Sequence, residues 1–196
     1  LPFISSVLGH EPDILMERYR QAGITGISFS GGEPLLYPEK LLEWIRTFKA
    51  HSSDFYIWVY TNGLLLSAEQ LAALAEAGLD ELRFNLAATA YRDPHVLQML
   101  REAAGRLPVA TIEVPAVPAH AGLILDSLPR WCDDGVKYLN LHELIFEPGT
   151  NSWNMEGQRV RCIMPDGHSC LFDPESDEVV RKVMSRVAED HLPLSV

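Results

Sequence analysis

Two glycines beside a carboxylate, in Gly31-Gly32-Glu33-Pro34, follow directly on the apolar run Ile27-Ser28-Phe29-Ser30. Glycines leaving a strand open backbone conformations closed to other residues and let a ligand approach the main chain closely. The neighbouring carboxylate can accept charge-assisted hydrogen bonds from a cationic group. About 30 residues further on, Tyr56-Ile57-Trp58-Val59-Tyr60 ends in Thr61-Asn62-Gly63, a spacing that fits strand, turn, helix and next strand. Asn85, Glu113, Asn140 and His142 are further polar residues on, or just after, later β-type runs.

The elements that must position these groups recur at a steady interval. Apolar runs begin near Ile27, Phe55, Leu82, Ala110 and Tyr138, a step of about 28 residues, the length of one βα unit. Helical patterns fill the gaps. Leu41, Leu42, Ile45 and Phe48 form one apolar stripe. Ser67-Ala68-Glu69-Gln70 reads as a capping box, with Gly78 as the helix stop. Asp93-Pro94 opens a helix running to about Arg106, and Ile124 to Cys132 makes a shorter one. Glu11 to Ala22 is a helix ahead of the first run, so a strand is expected upstream of Leu1 or in the poorly patterned first residues. After residue 150 the pattern changes. Val160 to Met164 and His168 to Phe172 flank Pro165-Asp166-Gly167 as a hairpin, and a helix covers about Ser176 to Asp190. The expected architecture is α/β, a partial six-unit TIM-like open barrel lacking its first strand, spanning residues 1–150. A hairpin-plus-helix extension, 151–196, packs on it within a single domain.

Alternate residues on a strand point to opposite faces. Ile27, Phe29, Ile57, Val59, Leu82, Phe84, Ile112, Val114, Leu139 and Leu141 fall on one face, fit for helices. Ser28, Ser30, Tyr56, Trp58, Tyr60, Arg83, Asn85, Thr111, Glu113, Asn140 and His142 fall on the other. Closed barrels fill their interior with branched apolar residues. A polar second face on every strand points instead to an open sheet curved around a ligand cavity, since buried polar groups need partners. Arg83 and Glu113 face inward on neighbouring strands, either as a structural pair or as holders of a substrate carboxylate and hydroxyls. His142 and Glu143 point oppositely and share no site.

Composition narrows the partners. The chain has 196 residues and a net charge of -11. That argues against nucleic acid, whose phosphates need clustered Lys and Arg. No apolar run approaches the roughly 20 residues of a membrane span. Three cysteines do not make a disulfide framework, so a reducing, cytoplasmic compartment is expected.

Gly31-Gly32-Glu33-Pro34-Leu35-Leu36, Thr61-Asn62-Gly63 and Glu76 through Phe84 together resemble the radical S-adenosylmethionine (radical SAM) superfamily. Ile112 through Pro118 and Tyr138 through Leu144 resemble its branch related to pyruvate formate-lyase activating enzymes. The resemblance runs from about Glu11 to Asn151. It implies a [4Fe–4S] cluster on a three-cysteine loop and S-adenosylmethionine as cofactor. It also implies reductive cleavage to a 5′-deoxyadenosyl radical that abstracts hydrogen, with an electron donor as partner. Gly31, Gly32, Glu33 and Pro34 would bind the cofactor's methionine end, Thr61, Asn62 and Asn85 its methionine or ribose side. Glu113, Asn140 and His142 would line the deeper cavity. The substrate stays open and includes proteins or peptides, since activating relatives act on partner proteins.

The cluster cysteines are the departure. Cys132, Cys162 and Cys170 stand about 30 and 8 residues apart and follow the barrel, whereas the cluster needs three thiolates close in one loop. The expectation is that those cysteines lie upstream of Leu1 and that this chain alone does not turn over. A cluster-free scaffold binding a nucleotide-like ligand or a partner protein is the alternative. An unrelated βα-barrel hydrolase or lyase using His142 and Glu113 has no positive support. Cys162, His168 and Cys170 match no common zinc spacing.

Overall fold

The computed structural model describes residues 12–146, 160–163 and 169–196. Helix α1 (Pro12–Gln21) leads into strand β1 (Gly26–Phe29), and α2 (Pro38–His51) into β2 (Tyr56–Thr61). Then α3 (Ala68–Ala77) precedes β3 (Glu81–Phe84), α4 (Pro94–Arg106) precedes β4 (Val109–Pro115), and α5 (Ala121–Asp133) precedes β5 (Tyr138–His142). The five strands pair in the order β1-β2-β3-β4-β5, and every pairing is parallel. Each strand lies beside its neighbour in sequence with a helix between, which gives the wall of an open, partly wound βα barrel. Among the described residues nothing pairs with the outer edge of β1.

Local chemistry explains the boundaries. Ser67 Oγ accepts from Gln70 N at 3.2 Å while Gln70 Oε1 accepts from Ser67 N at 3.0 Å, so the capping box starts α3. Gly78 takes the left-handed conformation, φ 94°, that stops it. Asp93 Oδ1 caps α4 by accepting from Val96 N at 3.1 Å. One expectation needs correction: α5 is no shorter than α4, at 13 residues each. Its first turn, Ala121-Gly122, shows no apolar period and was therefore invisible as helix.

The predicted facing pattern holds. Ile57, Val59, Leu82, Phe84, Ile112 and Val114 are fully buried under the helices. Trp44, Phe48 and Phe55 pack with Tyr19 and Phe29 between the first helices and β1, each such ring burying a large apolar area. At the N-terminal rim, Lys49 Nζ meets Asp80 at 2.7 Å and Asp80 Oδ2 accepts from Ile57 N at 2.7 Å, tying α2, β2 and β3 together.

The C-terminal part is richer than its sequence suggested. β7 (Val160–Ile163) and β8 (Ser169–Phe172) pair antiparallel as expected, with the Pro165-Asp166-Gly167 turn outside the described residues. A short strand, β6 (Ile145–Phe146), joins β8 to make a sheet ordered β6-β8-β7. Two residues are too few to show a period. The loop expected at 147–152, the boundary near residue 150 and His168 also lie outside the described residues. Helix α6 (Glu175–Glu189) sends Val179 and Val183 into the main core. Ser176 Oγ donates to Ala116 O at 2.8 Å and accepts from Leu144 N at 3.2 Å, fixing α6 to the end of β4. The C-terminal residues turn back to β5: Leu139 N donates to Ser195 O, and Ser195 N to Lys137 O, both at 2.8 Å.

Candidate functional site

The loop after β1 and the C-terminal end of β2 are joined by one side chain. Glu33 accepts from Leu35 N at 3.1 Å and Thr61 Oγ1 at 2.9 Å through Oε1, and from Asn62 N at 2.8 Å through Oε2. It thereby caps the 3-10 turn Pro34–Leu36 and clamps the loop after β1 to the end of β2. Thr61 Oγ1 in turn accepts from Gly63 N at 2.9 Å. Gly31 and Gly32 sit in the left-handed region, φ 91° and 62°, where a Cβ would be strained. The clamp holds this exposed pair of peptide units in place. Most of the Glu33 carboxylate's accepting capacity is thus spent on the protein's own donors, which a motif alone does not disclose.

Asn62 and Asn85 close small turns with their side-chain oxygens. Asn62 Oδ1 accepts from Leu64 N at 2.9 Å, and Asn85 Oδ1 from Ala87 N at 3.1 Å. Each oxygen is engaged, and each amide nitrogen has no hydrogen bond among the described residues. The rim therefore offers two side-chain donor groups beside a glycine main chain.

Behind the rim, register sorts the inner face into rows. Gly26 and Tyr56 share the lowest row; Ser28, Trp58 and Glu81 the next; Tyr60, Arg83, Thr111 and Tyr138 the third; Glu113 and Asn140 pair one step higher, level with Asn85. Arg83 is the hub. Its Nε and Nη2 donate to Glu81 at 2.8 and 3.2 Å, and its Nη1 donates to Glu113 Oε2 at 2.9 Å and Tyr60 Oη at 3.2 Å. The guanidinium lies 5.4 Å from the centroids of both Trp58 and Tyr60. Burial opposes its charge, but the bonds to Glu81 and Glu113 outweigh that, so its pKa is raised. Glu81 also accepts from Thr111 Oγ1 at 2.6 Å and Tyr56 Oη at 3.0 Å. Burial first, then that bond to Glu81, push the Tyr56 phenol well above its ordinary range. Gly26 makes room at the base of the face, for a Cβ there would lie 2.7 Å from Tyr56 O and 3.3 Å from Trp58.

Of the two readings of Arg83 and Glu113, the structure shows the paired one. Glu81 was missed because the apolar run was begun at Leu82; starting one residue earlier puts Glu81 on the inner face, two before Arg83. Asn140 and His142 are exposed on the inner side of β5, with His142 Nδ1 3.2 Å from Glu143 O. A cavity of about 520 Å³ runs along β1, lined by Gly31, Gly32, Glu33, Ile27, Trp44 and Trp58 among others; Glu113, Asn140 and His142, expected to line a deeper cavity, do not line it.

S-adenosylmethionine fits the rim's chemistry. Main-chain carbonyls of an open glycine pair suit its ammonium, and unspent amide N–H groups suit its carboxylate and ribose oxygens. A [4Fe–4S] cluster does not fit the cysteines present. Cys132 lies on α5, where burial first, and then Asp133, raise its thiol pKa. Cys162 and Cys170 are register partners in the smaller sheet. Among the described residues no group of three His, Cys, Asp or Glu could hold a metal ion. Nor is any described helix long and apolar enough to cross a membrane.

Comparisons with known proteins bear on the family and the fold. The profile of the Radical SAM superfamily matches residues 10–112. A protein from Methanocaldococcus jannaschii named as a glycyl-radical enzyme activating enzyme is 25% identical over 182 residues, 89% of this chain and 47% of its own length. A GTP 3′,8-cyclase from Chlorobaculum tepidum is 45% identical over 64 residues, 33% of this chain and 19% of its own. The radical S-adenosylmethionine methyltransferase TsrM from Kitasatospora setae, solved with tryptophan substrate and a SAM analogue, superposes with a TM-score of 0.60. At 13% identity, over 95% of this chain and 48% of that one, the likeness is one of fold. The chain thus spans about half the length of the archaeal relative and of the methyltransferase.

Proposed function

Because the chain belongs to the radical SAM superfamily, with an activating-enzyme homologue along most of its length, we propose that it is the cofactor-binding core of an activating-enzyme-related radical SAM enzyme. The observation that carries this is the Gly31-Gly32 main chain, left-handed and pinned by Glu33 to the end of β2, inside the segment the superfamily profile matches.

Gly31, Gly32 and Pro34 form the seat of the cofactor's methionine end, and Glu33 and Thr61 hold that seat rigid. Asn62 and Asn85 direct amide donors at its carboxylate or ribose. Glu113, Asn140 and His142 face the substrate side. When bound and reduced by one electron, S-adenosylmethionine supplies a 5′-deoxyadenosyl radical that removes hydrogen from a substrate. A [4Fe–4S] cluster, which the cysteines present do not fit, would be held by residues outside this chain and would supply the electron, with a separate electron donor as partner in a reducing, cytoplasmic setting. The 196-residue chain alone binds the cofactor and does not turn it over. The substrate is a protein, a peptide or a small molecule.

Calorimetry with S-adenosylmethionine tests the first half; saturable binding by this chain is expected, and none would end the reading. The second half is tested on the longer polypeptide, reconstituted anaerobically with iron and sulfide and assayed for 5′-deoxyadenosine. A cluster-loaded protein that releases none under strong reductant would leave the cluster-free scaffold in its place.

A further inference from the structure

The inner face carries an unbalanced charge, with two carboxylates, Glu81 and Glu113, against one guanidinium, Arg83. Glu81 has both oxygens occupied: Oε1 accepts from Arg83 and Thr111, Oε2 from Arg83 and Tyr56. Glu113 is different. Only its Oε2 is bonded, to Arg83, and its Oε1 has no hydrogen bond among the described residues. Its side chain keeps 17% of its surface exposed, and Oε1 is not a buried orphan, so the open oxygen is reachable from solvent. Its neighbours are the exposed Asn140, paired beside it, and Tyr138, diagonally below with 45% of its surface exposed. A carboxylate oxygen without a protein donor, on a strand face that also carries an exposed tyrosine at the diagonal register position, suits an alkylammonium group.

Arg83 cannot serve an anion in the same place. Four of its five N–H groups are committed to Glu81, Glu113 and Tyr60. Among the described residues it is the inner strand face's only lysine or arginine. An approaching phosphate or carboxylate would meet net negative charge on largely buried groups, where Coulomb repulsion is less screened than in bulk water.

We propose that Glu113 Oε1, backed by Arg83 and flanked by Tyr138, is the recognition point for a substrate bearing an alkylammonium group, as on a lysine side chain. This rests on the inner face being the substrate chamber of the enzyme proposed above. It separates the chain from its GTP-cyclase relatives, whose named substrate, GTP, is a polyanion.

The test is calorimetric titration of the chain with Nα-acetyllysine methylamide, its neutral isostere Nα-acetylnorleucine methylamide, and GTP, each with and without saturating S-adenosylmethionine. The lysine probe should bind at least about tenfold more tightly than the norleucine probe or GTP, with or without the cofactor. Glu113→Gln should erase the preference. Asn140→Lys, a change at an exposed position that places a cation beside Glu113, should erase it without disturbing the core. Glu178→Gln on the far side should change nothing, and far-UV circular dichroism checks that each variant is folded. Equal affinities for the two side chains, no saturable lysine binding, tighter GTP binding, or displacement of the lysine probe by S-adenosylmethionine would each overturn the inference. Failure of S-adenosylmethionine to bind, with Glu113-dependent lysine binding intact, would sink the enzyme reading and leave the ammonium site standing.

Discussion

Replacing Glu33 by glutamine asks whether the clamp is real. The wild-type carboxylate accepts two donors on Oε1 and one on Oε2. A glutamine can keep its oxygen toward Leu35 N and Thr61 Oγ1, but its NH2 then faces the Asn62 N–H, donor against donor. Flipped, it keeps Asn62 and loses the other two. At least one charge-assisted hydrogen bond disappears either way, each worth about 1.5–3 kcal/mol. The surviving bonds lose their ionic assistance. Glu33 is only half-buried, so water can reach the orphaned N–H, and a net cost near the lower end, about 2 kcal/mol, is expected. For a chain of this size that is a fall in Tm of about 4–8 °C by differential scanning calorimetry. Amide hydrogen exchange gives the local readout: Asn62 N–H should exchange about 30-fold faster, the factor that 2 kcal/mol corresponds to. Affinity for S-adenosylmethionine should fall in parallel, since the glycine pair is no longer fixed. A Tm within about 1 °C of wild type, together with unchanged exchange at Asn62, would refute the clamp and the positioning role built on it.

Three further changes follow from contacts described above or beside them. Gly63→Ala must accommodate φ 78° and a Cβ 2.9 Å from Val96 Cγ1; a loss of about 2–4 kcal/mol in urea unfolding is expected. Tyr91 is buried with no partner for its hydroxyl among the described residues, so Tyr91→Phe should be neutral or stabilising by about 1 kcal/mol at pH 7. Burial raises the folded Tyr91 pKa to about 12, above the unfolded value of about 10. The stability this favoured neutral form contributes is therefore intact below pH 10 and drains away as pH climbs towards 12, a decline that Tyr91→Phe should flatten in pH-dependent urea titrations. Arg101→Met leaves the buried Asp134 without its 2.6 Å partner and should cost about 2 kcal/mol, while adding Asp134→Asn should return about half or more of it.

Which parts were readable from sequence depends on whether the determining interactions were local. The capping box at Ser67, the stop at Gly78 and the Asp93-Pro94 start are set by residues within a turn of one another, and each appears where its chemistry demands. The face alternation was equally legible, because a period of two survives any tertiary context that keeps the strand. The inner-face network was half legible: alternation put Arg83 beside Glu113, but recognising Glu81 required the register of β3. The Glu33 clamp was not legible, since its partners lie about 28 residues away and a glycine-glycine-glutamate run says only that a carboxylate is near. Strand β6 and the return of Ser195 to β5 were invisible for a related reason. Two residues carry no periodicity, and a tail pairs wherever the fold delivers it.

The docking of Ser195 against Lys137 and Leu139 leaves the five-stranded sheet with unequal sides. On one side a length of its own polypeptide sits across the opening residues of β5, so another molecule could pair there only by prising that length away. The opposite side, at β1, carries no such guard among the described residues. Propagating filaments need a donor surface and an acceptor surface on every subunit. Copies joining through β1 would meet head to head and stop at two, and release of the last few residues is what would turn a self-limiting pair into an endless one.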